Sequence, residues 1–361
     1  MSCRHLLPRN LARRAVACLL LALPLLAIAG CGGGEDTLVI YSPHGRDLLG
    51  LFEETYEADN PGVDVRWLDM GSQEVYDRVR SEKANPQADV WFGGPSTIFA
   101  RGAEEGLLAP YRPSWAGAVD AESVGADDLY FPAYRTAPVI LYNDQVVAAD
   151  DIPRDWDDLL EPRFKDEILI RDPMASGTMR TFFGMMIARS VERTGSPDAG
   201  YDWLRRLDAQ TKEYVINPAL MVEKLNRQEG EVTVWELTDA LWQRKRGAPL
   251  DFTFPASGTP IIVDSIGLVA GARHPDRAKH FIDWVGSREG QLLATREALR
   301  IPARDDLPRE ELPEWARRVM DEIVPAEIDR DLLSQYGADW MSRWDREIRG
   351  RSGAAADGPE S

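Results

Sequence analysis

Three short runs rich in β-formers are spaced along the first hundred residues: 37–41 (Thr-Leu-Val-Ile-Tyr), 63–68 (Val-Asp-Val-Arg-Trp-Leu) and 88–92 (Ala-Asp-Val-Trp-Phe). Helical stretches separate them. The first places Leu48, Leu51, Phe52 and Tyr56 on one face and stops at Asn60-Pro61-Gly62; the second follows Gly71-Ser72-Gln73-Glu74 and runs to Asn85. Strand, helix, strand in this order requires a sheet with parallel neighbours and helices packed on it, so the chain is α/β. The ligand crevice of such a sheet lies beyond the C-terminal ends of its strands. Here those ends carry Ser42, His44, Ser72 and Gln73, then Gly93-Gly94 and Ser96. These are neutral hydrogen-bonding groups beside glycines that let backbone approach closely.

The same pattern returns in the second half. Residues 167–170 (Glu-Ile-Leu-Ile) lead into the turn Arg171-Asp172-Pro173-Met174-Ala175-Ser176-Gly177-Thr178, and residues 179–193 repeat apolar side chains at helical spacing. Ser176, Gly177 and Thr178 therefore sit where a helix leaves its first N–H groups unpaired, which suits a phosphate or carboxylate. Ser176 or Thr178 can equally cap the helix itself. Arg171 and Arg180 are at hand for charge-assisted bonds to the same anion. Further strands are expected at 214–216 and 232–235, with a short helix at 221–228. Tyr142 and Trp235 offer flat faces to a ring or else pack the core. Glu236 and Asp239 would face sugar hydroxyls, an amine or a hard metal ion.

The ends read differently. Arg4, Arg9, Arg13 and Arg14 precede an apolar segment, 15–29, and the sequence Ile28-Ala29-Gly30-Cys31. That order predicts a signal peptide over 1–30 that ends in a lipobox-like site, with Cys31 as the lipidated first residue of a mature lipoprotein. Residues 31–36 are a glycine-rich linker and 348–361 a disordered tail, while 306–347 form C-terminal helices anchored by Trp315, Val319, Ile323 and Ile328. The protein is expected on the periplasmic or extracytoplasmic face of a membrane, held there by the lipid. Cys3 and Cys18 leave with the leader, so neither a disulfide nor a cysteine metal site can form. Removing the leader's four arginines from a chain of formal charge -18 leaves -22, which disfavours nucleic acid as a partner. The 361 residues, with 11 Trp and 10 Phe, suffice for two packed cores.

Several of these pieces together resemble one family. Tyr41-Ser42, Asn60-Pro61-Gly62-Val63, Asn85-Pro86 before Ala88-Asp89-Val90, and Gly93-Gly94 come first. Residues 138–143, the turn 172–178, Ile266-Gly267-Leu268-Val269, His274-Pro275 and Ser287-Arg288-Glu289-Gly290-Gln291 keep the order. Over about 38–302 the chain resembles the solute-binding proteins of bacterial ABC importers, in the ferric-iron-type branch that also includes sugar-phosphate, phosphonate, thiamine and polyamine binders. The resemblance implies a two-lobe periplasmic-binding-protein fold of type II. Lobe I would take 37–139 plus 264–305 and lobe II 140–263, with hinge strands between them and the solute in the cleft. It also implies a monomer that delivers its solute to a permease and ATPase complex.

Iron-carrying members use a neighbouring pair of tyrosines, which by spacing from Gly230-Glu231 falls here at about Ala240-Leu241. Neither side chain ligates a metal, and four scattered histidines, of which only His44 lies near the strand ends, make no metal cage. No metal site and no cofactor are expected. A small organic anion, phosphorylated or a phosphonate, fits better, and a zwitterionic aminophosphonate would use both the turn and the acids. A ferric-iron receptor and a solute sensor subunit are the alternatives. No catalytic residues are assigned: there is no Gly-x-Ser-x-Gly elbow, phosphate loop or dinucleotide fingerprint.

Overall fold

The computed structural model describes residues 37–349. The expected signal peptide, Cys31 and linker, and residues 350–361 of the expected tail, lie outside the described residues. In chain order the first elements are β1 (Thr37–Ser42), α1 (Gly45–Asp59), β2 (Asp64–Asp69), α2 (Ser72–Ser81), β3 (Val90–Pro95), α3 (Ser96–Glu104), β4 (Leu108–Ala109) and β5 (Phe131–Thr136). The chain then enters β6 (Pro138–Asn143), β7 (Ile168–Arg171), α4 (Gly177–Thr194), α5 (Asp198–Gln210), β8 (Thr211–Val215), α6 (Pro218–Asn226), β9 (Val232–Glu236), α7 (Leu237–Lys245) and β10 (Leu250–Thr253). It closes with β11 (Ile262–Val269), α8 (Pro275–Val285), α9 (Arg288–Ala298), β12 (Ile301–Pro302), α10 (Glu314–Glu322) and α11 (Arg330–Glu347).

Two sheets result, one per lobe. The first runs β12-β5-β11-β3-β1-β2 with β4 beside β11, and the second runs β10-β6-β9-β7-β8. Strand β1 is parallel to both β2 and β3, as the βαβ pattern requires. Its apolar run follows from burial on both faces, with Leu38, Ile40 and Tyr41 all inside. Both sheets are mixed, because the connecting strands run against the rest: β11 is antiparallel to β3 and β5, and β6 to β9. The chain leaves the first sheet after Thr136 and is already paired in the second at Pro138. On return, Ile262 pairs with Thr136. Only the buried Ala137 separates the outgoing sheets, so the crossing is short and the C-terminal ends of both sheets face one gap.

Helix α4 begins at a capping serine, since Ser176 Oγ accepts the Met179 N–H at 3.3 Å, and stops at Gly195 in the left-handed conformation, φ 74°. Its Phe182, Phe183 and Met185 fill the lobe II core together with residues of α11. Trp340, Met341 and Trp344 enter that core, and Ile348 follows them at 1% exposure. Residues 348 and 349, expected in the tail, are described and belong to this packing. Ile348 and Arg349 are packed, because an apolar side chain one turn beyond Trp344 stays on the buried face. Burial of each such side chain stabilises by about 2 kcal/mol.

Candidate functional site

Six helices start at one cavity of about 480 Å³ between the lobes. Helices α1, α2 and α3 arrive from lobe I at His44, Gly71 and Pro95. Helices α4, α6 and α7 arrive from lobe II at Ser176, Pro218 and Glu236. Each N-terminus carries about half a positive charge and unpaired N–H groups. Gathering three from each lobe makes a cavity that attracts anions and that both lobes must close to complete.

The sequence folds this way locally for steric reasons. Gly93 has φ 100°, and a Cβ there would come 2.6 Å from His44 Nε2, so glycine alone lets β3 turn beneath the imidazole. At Gly177 a Cβ would lie 2.6 Å from Ser72 Oγ and 2.7 Å from Pro95 Cδ. Its absence lets the first turn of α4 touch lobe I, where the Gly177 N–H donates to Ser72 Oγ at 2.9 Å. Arg171, nearly buried, reaches from the same turn to Val215 O at 3.4 Å and stands beside Gly71. Burial lowers its pKa, yet an arginine remains protonated at neutral pH.

The opposite wall is acidic. Asp69, Asp264, Glu236 and Asp239 all line the cavity, and Arg300 stands among them. Arg300 Nη1 is 3.3 Å from Glu236 Oε1, its Nη2 donates to His44 O at 2.9 Å, and its Nε is buried without a partner. His44 Nε2 lies 3.2 Å from Asp264 Oδ2, but burial lowers the histidine's pKa and keeps it neutral. The imidazole then donates from Nε2 and leaves Nδ1 as a bare buried acceptor. Trp235 Nε1 donates to Asp239 Oδ2 at 2.6 Å. Burial raises the pKa of Asp69 and Asp239 and pushes Glu236 up to about 8, against the pull of Arg300. Arg246 lines the same wall, so two guanidiniums stand among four carboxyl groups, and the surplus of carboxyls leaves room for a cation.

Of the side chains expected at the site from the sequence, His44, Ser72, Gly94, Ser176, Thr178, Trp235 and Glu236 border this cavity, as do Arg171 and Asp239. The others do not. Ser42 is fully buried and its Oγ accepts the His44 N–H at 3.2 Å, closing the turn rather than facing the cleft. Gln73 Nε2 donates to Asp77 at 3.2 Å, and its side chain borders the small cavity beside Thr97 and Arg180, one helical position past Ser72 and so on another face. Ser96 lies behind the hinge beside Pro260, and Gly177 has given its N–H to Ser72. Tyr142 opens on the far face of lobe II with Phe252 and Phe254, the side of β6 away from the cleft. Arg180 is tied to the carbonyls of Pro173 and Met174 at 3.1 and 3.2 Å.

Sequence reasoning missed Arg300, Asp264 and Asp69. Arg300 had a readable signal, a lone arginine inside the apolar string Ala298-Leu299-Arg300-Ile301-Pro302, where a charge is buried only with partners. At the position of the expected tyrosine pair, Ala240 is buried and Leu241 is partly buried. Among the described residues no group of three or more His, Cys, Asp or Glu is placed to hold a metal ion.

Residues 85–320 match the family model described as bacterial extracellular solute-binding protein. A Sinorhizobium fredii protein described as an ABC transporter periplasmic-binding protein is 29% identical over 321 residues, spanning 87% of each chain. A Salmonella typhimurium periplasmic protein whose name assigns it 2-aminoethylphosphonate is 27% identical over 291 residues, 78% of this chain and 82% of its own. Iron uptake protein A1 of Synechocystis is 21% identical over 304 residues, again 78% and 82%. Among solved structures, the periplasmic binding protein AfuA of Actinobacillus pleuropneumoniae, with fructose-6-phosphate bound, superposes with a TM-score of 0.73 at 25% identity. The match covers 87% of this chain and 98% of AfuA.

Proposed function

Since the chain belongs to the bacterial extracellular solute-binding protein family and is the solute receptor of an ABC importer, we propose that its cleft takes a small organic anion that also carries an amine. The observation that carries this reading is the meeting of six helix N-termini, three from each lobe, with the buried guanidiniums of Arg171 and Arg300 in one cavity. A phosphonate or phosphate belongs at Ser176, Thr178 and Arg171, where N–H donors and positive charge converge. An ammonium belongs beside Asp69 and Asp239, whose pKa values are raised by burial and would fall on meeting a cation. The names of two relatives support the anionic group, through an aminophosphonate in one and a sugar phosphate in the other, and the first also supports the amine.

The solute contacts both lobes, so it favours the closed arrangement by its differential affinity, and hinge closure is the signal passed to the permease. We place the mature protein on the extracytoplasmic face as a monomer, anchored by lipid at Cys31. Ferric iron suits the cleft less well, because Ala240 and Leu241 stand where tyrosines would be needed. Calorimetric titration with 2-aminoethylphosphonate, fructose-6-phosphate and ferric citrate decides between these solutes. Binding of the aminophosphonate well ahead of the others supports the reading. Tight ferric binding with a coloured charge-transfer band, and none of either organic anion, sinks it.

A further inference from the structure

The turn assigned above to the solute's anionic group is held from behind by the far end of the chain. Asp172, its second residue, is 5% exposed and does not border the cleft. Its Oδ1 accepts the Met174 N–H at 2.8 Å, its own N–H donates to Val215 O at 3.0 Å, and its Oδ2 accepts Arg349 Nη2 at 2.6 Å. Arg349 Nη1 donates to Asp345 at 3.1 Å, and the guanidinium lies over the rings of Tyr214 and Trp344 at 5.5 and 5.9 Å. The arginine is thus held on its Nη1 side by Asp345 and over its faces by aromatics, which leaves Nη2 committed to Asp172.

The helix that carries Arg349 is rooted in lobe II through Trp344 and Met341, but its first half reaches lobe I. Helix α11 packs on both α3 and α4, and Leu333 and Gly337 share a small cavity with Ile98 and Arg101 of α3. The solute-facing turn is therefore registered to lobe I by two routes: directly through Gly177 and Ser72, and indirectly through Asp172, Arg349 and α11.

We propose that Arg349 is a positioning residue for solute binding: through Asp172 it holds the turn from Arg171 to Thr178 in the shape that presents Arg171, Ser176 and Thr178 to the cleft. The proposal rests on the solute reading given above. It explains why an arginine just past the last helix is ion-paired to a buried carboxylate 177 positions away. The pair is charge-assisted and half enclosed, with side-chain exposures of 30% for Arg349 and 7% for Asp172, so it is screened less than a surface pair.

The test compares Arg349→Met, Arg349→Lys and the double variant Asp172→Asn/Arg349→Met, which leaves no unpaired buried charge, in the full-length protein. Arg343→Met, which removes the pair with Glu347 and the stacking on Tyr201, is the control for a change on α11 that leaves Asp172 untouched. Three quantities are read: the melting midpoint, affinity for 2-aminoethylphosphonate, and hydrogen exchange of amides 174–178 without solute. Loss of Arg349 should speed exchange at 174–178 at least tenfold and weaken binding by a similar factor. Lysine should recover most of both, and the double variant should recover the midpoint but not the affinity. Unchanged exchange at 174–178 in Arg349→Met, or a binding loss no greater than that of Arg343→Met, overturns the proposal. If the wild type binds no aminophosphonate, the solute reading fails on its own, and the exchange measurement still decides whether Arg349 holds the turn.

Discussion

Arg300 Nη1 stands 3.3 Å from Glu236 Oε1, and the pair bridges the two lobes: Arg300 leads into β12 of the first sheet, while Glu236 ends β9 of the second. Burial dominates the carboxyl's behaviour, pushing it from 4.5 up to about 8 despite the arginine. The folded protein therefore holds this proton more tightly than the unfolded chain does. Stability contributed by the protonated carboxyl is complete below about pH 4.5, is lost progressively as pH rises to about 8, and changes no further above that. Asp69 and Asp239, raised in the same direction, add to the slope.

Melting of the solute-free protein at pH 5, 6, 7 and 8 should show the midpoint falling by several degrees across the series. Glu236→Gln, which keeps the shape and cannot ionise, should flatten part of that fall. Parallel curves for the two proteins would show that Glu236 does not titrate in this window.

Gly177→Ala isolates the contact between lobes. A methyl at this position would sit 2.6 Å from Ser72 Oγ, inside any allowed separation, so the α4 start must back away from lobe I. Alanine is a better helix former than glycine, so α4 itself should not suffer. The expected outcome is an unchanged melting midpoint, an affinity at least tenfold weaker, and a larger radius of gyration by small-angle scattering with solute present. An unchanged affinity would mean that the Ser72 to Gly177 contact is not part of the solute-bound state.

How much of this could be read beforehand depends on the range of the interactions. The βαβ units were legible because Leu38, Ile40 and Val90 are buried by neighbours a few dozen residues away, and the apolar run itself announces that burial. The turn at Ser176 was legible because helix capping is local. Side-chain direction was not: Gln73 and Ser72 are adjacent, yet only Ser72 faces the cleft, since one residue turns the direction by about 100° on a helix. Tyr142 was misplaced for the same reason on a strand, where alternate residues face opposite sides. Arg300 and Asp264 are set into the cleft by pairings more than 60 residues long, which no local pattern records.

Ser176 and Thr178 should separate by function. Ser176 caps α4, so Ser176→Ala should cost about 1 kcal/mol of stability as well as affinity. Thr178 borders the cavity in the first turn of α4, so Thr178→Val, nearly the same in shape, should weaken aminophosphonate binding while leaving the melting midpoint within a degree or so. Equal affinity for both variants, with a lowered midpoint for Ser176→Ala alone, would reduce the turn to a helix cap.

Arg300 supports the last prediction, because two roles can be told apart there. As a structural counter-ion it offsets Glu236 and ties down the His44 carbonyl. As a solute ligand it would use the Nε that is buried without a partner. Measured at pH 9, where Glu236 is ionised, Arg300→Met should cost about 3 kcal/mol, the low end for breaking a buried pair, since Glu236 keeps 20% of its side chain exposed and can take up a proton. Adding Glu236→Gln removes the unpaired charge, so the double variant should regain much of that stability, and a double-mutant cycle on melting free energies measures how much. Affinity separates the roles: if Arg300 touches the solute, the double variant stays at least tenfold weaker for phosphate-bearing ligands even after its stability has recovered. Recovery of affinity in step with stability would confine Arg300 to holding the hinge-side wall of the cleft.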